Sequence, residues 1–183
     1  MLFSVLLRVA CPPSRLPPLA LVAGLAARDA VGHDARIKWP NDVVIGKKKI
    51  AGVLVESIVA GSRVEAVVIG IGINVHTRDF PADIADRATS LAILGQRSPD
   101  RAEILADVVH ALDRDVELVA ARGLGLVHAR LAAADSLSGE EVRGELGEGI
   151  AEGIDLEGRL MVRSKKGILH RWAAGEVHLV RSS

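Results

Sequence analysis

Three short runs hold residues that could do chemistry together. In residues 67–74, VVIGIGIN, Gly70 and Gly72 alternate with Ile69, Ile71 and Ile73, and Asn74 closes the run. Side chains at i and i+2 of a strand share a face, so the isoleucines form one apolar row and Gly70, Gly72 and Asn74 form the other. Glycine weakens a strand and often marks a close approach by a ligand or another backbone. Two on one face clear a bare strip roughly 7 Å long, ended by a carboxamide that can both donate and accept. In residues 50–54, IAGVL, Gly52 and Leu54 share a face, so Gly52 extends such a strip and Leu54 walls it. Lys49 begins the same strand, and its ammonium suits a carboxylate or a phosphate. Asn41 and Asp42 follow a strand on a loop, where functional polar residues are common. Each feature has a plainer alternative: a helix packed on the glycines, a solvated basic turn at Lys47 and Lys48, and an Asx turn at Asn41-Asp42. A dinucleotide fingerprint is excluded, because these glycines sit inside a strand instead of opening a helix.

The elements that must position these residues read as follows. Residues 2–9 form a buried strand that ends at Cys11-Pro12-Pro13. Leu19, Val22, Ala23, Ala26 and Ala30 recur at helical spacing, and Gly32 sits at the stop. Residues 36–38 run extended into Trp39-Pro40, since proline biases Trp39 away from helix. Residues 43–45, a turn at Gly46 with the lysines, a strand over 50–58, a turn at Ala60-Gly61-Ser62 and a strand over 64–75 complete a meander. Residues 76–87 form a polar loop with short helical pieces. Ser98-Pro99 supplies an N-cap and a first-turn proline for a helix reaching about Ala121, with Ile104, Val108, Leu112 and Val116 on one face. A second short helix ends near Ala134. Beyond Leu137, five short strands joined by tight glycine turns suggest a small barrel. The fold class is therefore α+β, with one domain over 1–133 and a second over 134–183.

The 183 residues are 49% hydrophobic and 25% charged, with zero formal net charge. That composition supports a globular core but gives no global field for nucleic acid or an anionic membrane. Aromatic content of 2% argues against a base-stacking surface. The lone Cys11 excludes an internal disulfide and points to a reducing, cytoplasmic setting. The six histidines lack ligand-type spacing, so no structural metal is assigned. No stretch approaches the roughly 20 apolar residues of a spanning helix. At the start, Arg8 breaks the apolar run that a signal peptide would need.

Taken together, KWPND (38–42), KIAGVLVE (49–56) and GIGIN (70–74) resemble the biotin–protein ligase family, also called biotin–[acetyl-CoA-carboxylase] ligase, in both order and separation. FSVLLR near the start and TSL (89–91) resemble its flanking elements. GIDLEGRLMVR and WAAGEVHL resemble its C-terminal domain. The resemblance implies a catalytic domain related to class II aminoacyl-tRNA synthetases, with a mixed sheet flanked by helices, then an SH3-like barrel. It implies that biotin and Mg-ATP form biotinyl-5′-adenylate, which acylates a lysine of a carboxylase's biotin carboxyl carrier domain. It leaves room for a homodimer and calls for neither nucleic acid nor membrane.

Residue by residue, the resemblance makes Lys49 the cation that meets the biotin carboxylate and then the adenylate phosphate. Asp42 would orient the acceptor lysine or take its proton, and Asn41 would line the adenylate site beside it. Gly52, Leu54, Gly70, Ile71 and Gly72 would form the floor and walls of the biotin slot. Asn74 would reach the adenine end. The family's G-R-G-R-x-G-R loop has no counterpart in these residues and would precede Met1. The expectation is thus an N-terminally truncated ligase with weakened adenylation, since that loop clamps biotin and the phosphates. The alternatives are a non-catalytic fragment that binds the carrier, and a lipoate–protein ligase relative. A DNA-binding repressor fits less well, given zero net charge and no recognition helix.

Overall fold

The computed structural model describes all residues except 10, 33, 96–99 and 181–183. Strand β1 (Leu2–Leu7) and helix α1 (Leu16–Val31) precede β2 (Ala35–Lys38), β3 (Asp42–Ile45), β4 (Lys48–Ala60) and β5 (Arg63–Ile73). Helices α2 (Arg101–Arg122) and α3 (His128–Ala134) follow. The chain ends with β6 (Glu141–Gly144), β7 (Gly147–Ile154), β8 (Leu160–Arg163), β9 (Leu169–Trp172) and β10 (Val177–Leu179).

The first sheet has the order β1-β5-β4-β3-β2 and the second β10-β6-β7-β8-β9. Among the described residues every strand pair is antiparallel. This corrects the mixed first sheet expected from the resemblance: parallel pairing is confined to two isolated bridges, Lys49–Ala88 and Ile37–Asp135. The cause lies in the connections. Short turns at Gly46-Lys47 and Gly61-Ser62 join β3, β4 and β5, and such hairpins can link only antiparallel neighbours.

Helix α1 covers one face of the first sheet. Its Leu19, Leu21, Val22 and Leu25 are buried with Val43, Val53, Ile69 and Ile71 of the strands. Strand β1 departs from expectation. It is an edge strand paired only with β5, and Leu2 and Leu6 are 85% and 57% exposed. Phe3, Val5 and Leu7 alone pack on the core, because an edge strand with one covered face buries alternate residues only. Residues 76–87 form turns without the helical pieces expected there. Ser98 and Pro99 lie outside the described residues. Helix α2 is capped instead by Asp100, whose Oδ1 accepts from the Ala102 N–H at 2.8 Å.

The two sheets share one hydrophobic cluster. Trp39 Nε1 donates to the Gly158 carbonyl at 2.9 Å, and the Ser136 N–H donates to the Ile37 carbonyl at 2.9 Å. The Trp39-Pro40 peptide bond is cis. Gly158 has φ +80°, and a Cβ there would sit 3.3 Å from Leu21 and 3.4 Å from Pro18. No described helix is long and apolar enough to cross a membrane.

Candidate functional site: a bare trough on the open sheet face

The face of the first sheet opposite α1 carries the glycines. Strand pairing sets Asp42 against Gly52, Gly52 against Gly72 and Gly72 against Leu2, a single row across β3, β4, β5 and β1. The adjacent row runs Leu54, Gly70, Ser4. Paired residues project to the same side, so these two rows form an open groove of about 650 Å³. Lys49 and Asn74 lie at one end of it, with Leu2, Ser4 and Leu54 along its margins. A Cβ on Gly72 would meet only Leu2, at 3.7 Å. One on Gly70 would meet the Leu54 carbonyl oxygen and Ser4 Oγ, both at 3.7 Å. Among the described residues no helix fills the space, so the packed-helix alternative does not hold.

Lys49 enters this groove through a break in the ladder. Val43 pairs with Ala51 but Val44 pairs with Lys49, so Ile50 is an extra residue in β4. Regular alternation would place Lys49 on the side away from Gly52. A bulge re-aims side chains in this way. Here Ile50 and Ala51 both turn into the core, at 0% and 2% exposure, and the Lys49 chain lies across Gly52. A Cβ on Gly52 would be 2.8 Å from both Lys49 Cε and Nζ. The ammonium is 2.5 Å from Asp42 Oδ1, with the lysine and aspartate side chains 48% and 24% exposed.

Two asparagines and a buried strap hold the frame. Asn41 Nδ2 donates to the Val53 carbonyl at 2.8 Å, and the Val53 N–H donates to the Asn41 carbonyl at 2.9 Å. This pins the loop before Asp42 to β4. Asn74 Nδ2 donates to the Thr89 carbonyl at 3.1 Å. Residues 87–92 run beside the end of the sheet. The Lys49 N–H donates to the Arg87 carbonyl at 2.8 Å, the Thr89 N–H to the Lys49 carbonyl at 2.9 Å, and the Leu91 N–H to the Asn74 carbonyl at 3.1 Å. Thr89 and Ser90 are buried, and Ser90 Oγ donates to the Thr77 carbonyl.

The structure thus brings together Lys49, Asp42, Gly52, Leu54, Gly70, Gly72 and Asn74. Asn41 stands behind them in a supporting position. Ile71 is a correction: it is 0% exposed in the apolar row with Ile69 and Ile73, so its side chain belongs to the core and walls nothing in the groove. Ser4 and Leu2 line the groove but were not among the expected residues. Their signal was the alternation in FSVLLR, legible only once β1 is known to pair with β5. Thr89 and Ser90 were marked only by the resemblance of TSL (89–91) to a flanking element, since a buried polar strap has no periodicity to reveal its role.

Comparisons with known proteins bear on the same residues. The sequence profile of the biotin/lipoate A/B protein ligase family matches residues 1–74, and that of the biotin protein ligase C-terminal domain matches residues 137–180. A bifunctional ligase/repressor BirA of Bacillus subtilis is 32% identical over 182 residues, covering 93% of this chain and 56% of the relative. The chain therefore spans little more than half the length of that protein. A biotin–[acetyl-CoA-carboxylase] ligase of Paracoccus denitrificans is 33% identical over 162 residues, covering 81% of this chain and 68% of the relative. Among solved structures, the biotin protein ligase of Aquifex aeolicus in complex with biotin and ATP superposes with a TM-score of 0.81 at 30% identity. That match covers 99% of this chain and 78% of the other.

Proposed function

This chain belongs to the biotin–protein ligase family, and from that premise we propose that it activates biotin with ATP and transfers it to a lysine of a carboxylase's biotin carboxyl carrier domain. The observation that carries the proposal is the glycine trough with one ammonium and one carboxylate at its end. A flat acyl-adenylate would lie on bare backbone over Gly52, Gly70 and Gly72, with Leu54 as a wall. Lys49 would hold the biotin carboxylate against the α-phosphate. As a carboxylate oxygen attacks phosphorus and pyrophosphate leaves, charge builds on the phosphoryl oxygens, and a fixed cation there lowers the barrier. In the second step the acceptor lysine's amine attacks the acyl carbon and AMP departs. Asp42 would orient that amine or accept its proton, with Asn41 holding the loop and Asn74 reaching the adenine end.

Magnesium enters this reading with the ATP phosphates, as part of the substrate. Among the described residues no group of three or more His, Cys, Asp or Glu side chains could hold a metal ion. The finer architecture belongs to the same reading. Residues 1–133 would form the catalytic domain, of the class II aminoacyl-tRNA synthetase type, and residues 134–183 an SH3-like barrel. A reducing cytoplasm suits the single, buried Cys11.

Radiolabelled biotin, ATP and a purified carrier domain test the proposal. The expected result is ATP-dependent label on the carrier, competed by biotin and not by lipoate. No transfer at high enzyme concentration would reject activity for this chain, and transfer of labelled lipoate but not of labelled biotin to the carrier would reassign the substrate.

A further inference from the structure

The Asp42–Lys49 pair bears on the order of events at this site. Asp42 Oδ1 stands 2.5 Å from the same ammonium that the ligase reading assigns to an incoming anion. Lys49 reaches it only because Gly52 has no side chain: the Lys49 Cε and Nζ lie where a Gly52 Cβ would make 2.8 Å contacts, and that Cβ position is 3.5 Å from Asp42 Oδ1. The cross-strand pairing of Asp42 with Gly52 and the extra residue at Ile50 bring all three to one point.

We propose that Asp42 is an internal competitor for Lys49: the incoming carboxylate takes the ammonium from Asp42, and Asp42 becomes free for the acceptor amine only then. Gly52 is a positioning residue in this scheme, the seat across which the lysine swings. The proposal rests on the ligase reading, whose two steps already run anion first and acceptor second, and adds to it the contact that enforces that order. No covalent bond changes in the exchange; Lys49 trades one carboxylate partner for another. Exposure of both groups to solvent keeps the exchange cheap. Pairs of this kind contribute well under a tenfold change in an equilibrium, which suits a contact that must open in every cycle.

The full chain serves for the test, with biotin as the probe. In calorimetry, Asp42→Asn should bind biotin roughly three- to fivefold more tightly than the unaltered chain, because the competitor is gone. Its transfer to the carrier should nevertheless be slower. Unchanged or weaker biotin binding by Asp42→Asn overturns the competition. The pair itself is read without ligand from the Lys49 ammonium nitrogen resonance, assigned by its absence in Lys49→Arg. The paired ammonium should give a displaced shift in the unaltered chain, a signal lost in both Asp42→Asn and Gly52→Ala, with the Tm of Gly52→Ala unchanged. A signal that survives Gly52→Ala overturns the seating role. An unaltered chain that binds no biotin overturns the ligase reading and the exchange with it, while the ligand-free resonance still decides whether the pair exists.

Discussion

Gly70 has room for a larger side chain, since its nearest non-local neighbours would be 3.7 Å from a Cβ. That separates its role in the groove from any role in folding. Gly70→Val adds a strand-favouring residue on an open face and should leave the Tm within a few degrees, or raise it. By filling the trough floor it should weaken biotin binding at least tenfold, about 1.4 kcal/mol, in calorimetry. A folded Gly70→Val with unchanged affinity would move the ligand elsewhere. Lys49→Met tests charge at the same scale: pyrophosphate exchange should fall by roughly 10²–10³ if the ammonium stabilises the phosphoryl transition state. These positions were legible because strand parity is a local rule, and it placed Gly52, Gly70, Gly72 and Asn74 together without tertiary information. The same rule applied to Ile71 puts it in the core with its isoleucine neighbours, and its assignment to the slot failed for that reason. Parity also misleads at Lys49, where only the extra residue at Ile50 brings the ammonium round.

At the scale of elements, the helices are tied by one buried acid. Asp115 of α2 is 3% exposed and accepts from Arg114 Nε and Nη2 at 2.9 and 2.8 Å and from Arg130 Nη1 of α3 at 2.7 Å. Arg130 Nη2 also donates to Asp29 Oδ2 of α1 at 2.8 Å. The Arg114 hydrogen bond, aided by Arg130, holds the Asp115 carboxyl below its usual range despite burial. Its contribution is therefore complete above the unfolded value near 3.9 and fades as pH falls through the lower folded value. Asp115→Ala should cost about 2–3 kcal/mol in urea unfolding at pH 7, with the deficit shrinking under acid. The helices themselves were legible from apolar spacing. This network was not, because Asp29, Asp115 and Arg130 read as ordinary surface charges until three helices meet.

The whole molecule behaves as one core with two sheets on it. Residues of both sheets join a single apolar cluster, and the buried Trp39–Gly158 hydrogen bond crosses between them. Calorimetry should therefore show one unfolding transition. Two separate transitions would indicate independent domains. Asp135, at the isolated bridge to Ile37, adds a pH dependence opposite to that of Asp115. It is 4% exposed, and among the described residues its Oδ2 has no hydrogen-bond partner. Burial pushes its carboxyl up, only partly opposed by the Leu137 and Ser138 N–H groups. Stability from this group is full below about pH 3.9 and is lost as pH rises through the higher folded value. Asp135→Asn stays neutral, so its urea midpoint should gain on the unaltered chain from pH 4 upward and then level off. The ten strands were legible at this scale from turn residues and alternation. Which of them lay at an edge was not, since Leu2–Leu7 looks buried until its single neighbour β5 is known.

The extra residue at Ile50 divides the genetic changes this protein can tolerate into two kinds. Point substitutions at position 50 alter what packs inside but keep the count of residues between Lys49 and Gly52, so the cation still arrives. Gain of one codon opposite it, between Val43 and Val44, would straighten the ladder with all of β4 in place and turn the lysine toward the interior, emptying the groove of its cation while KIAGVLVE still reads as intact.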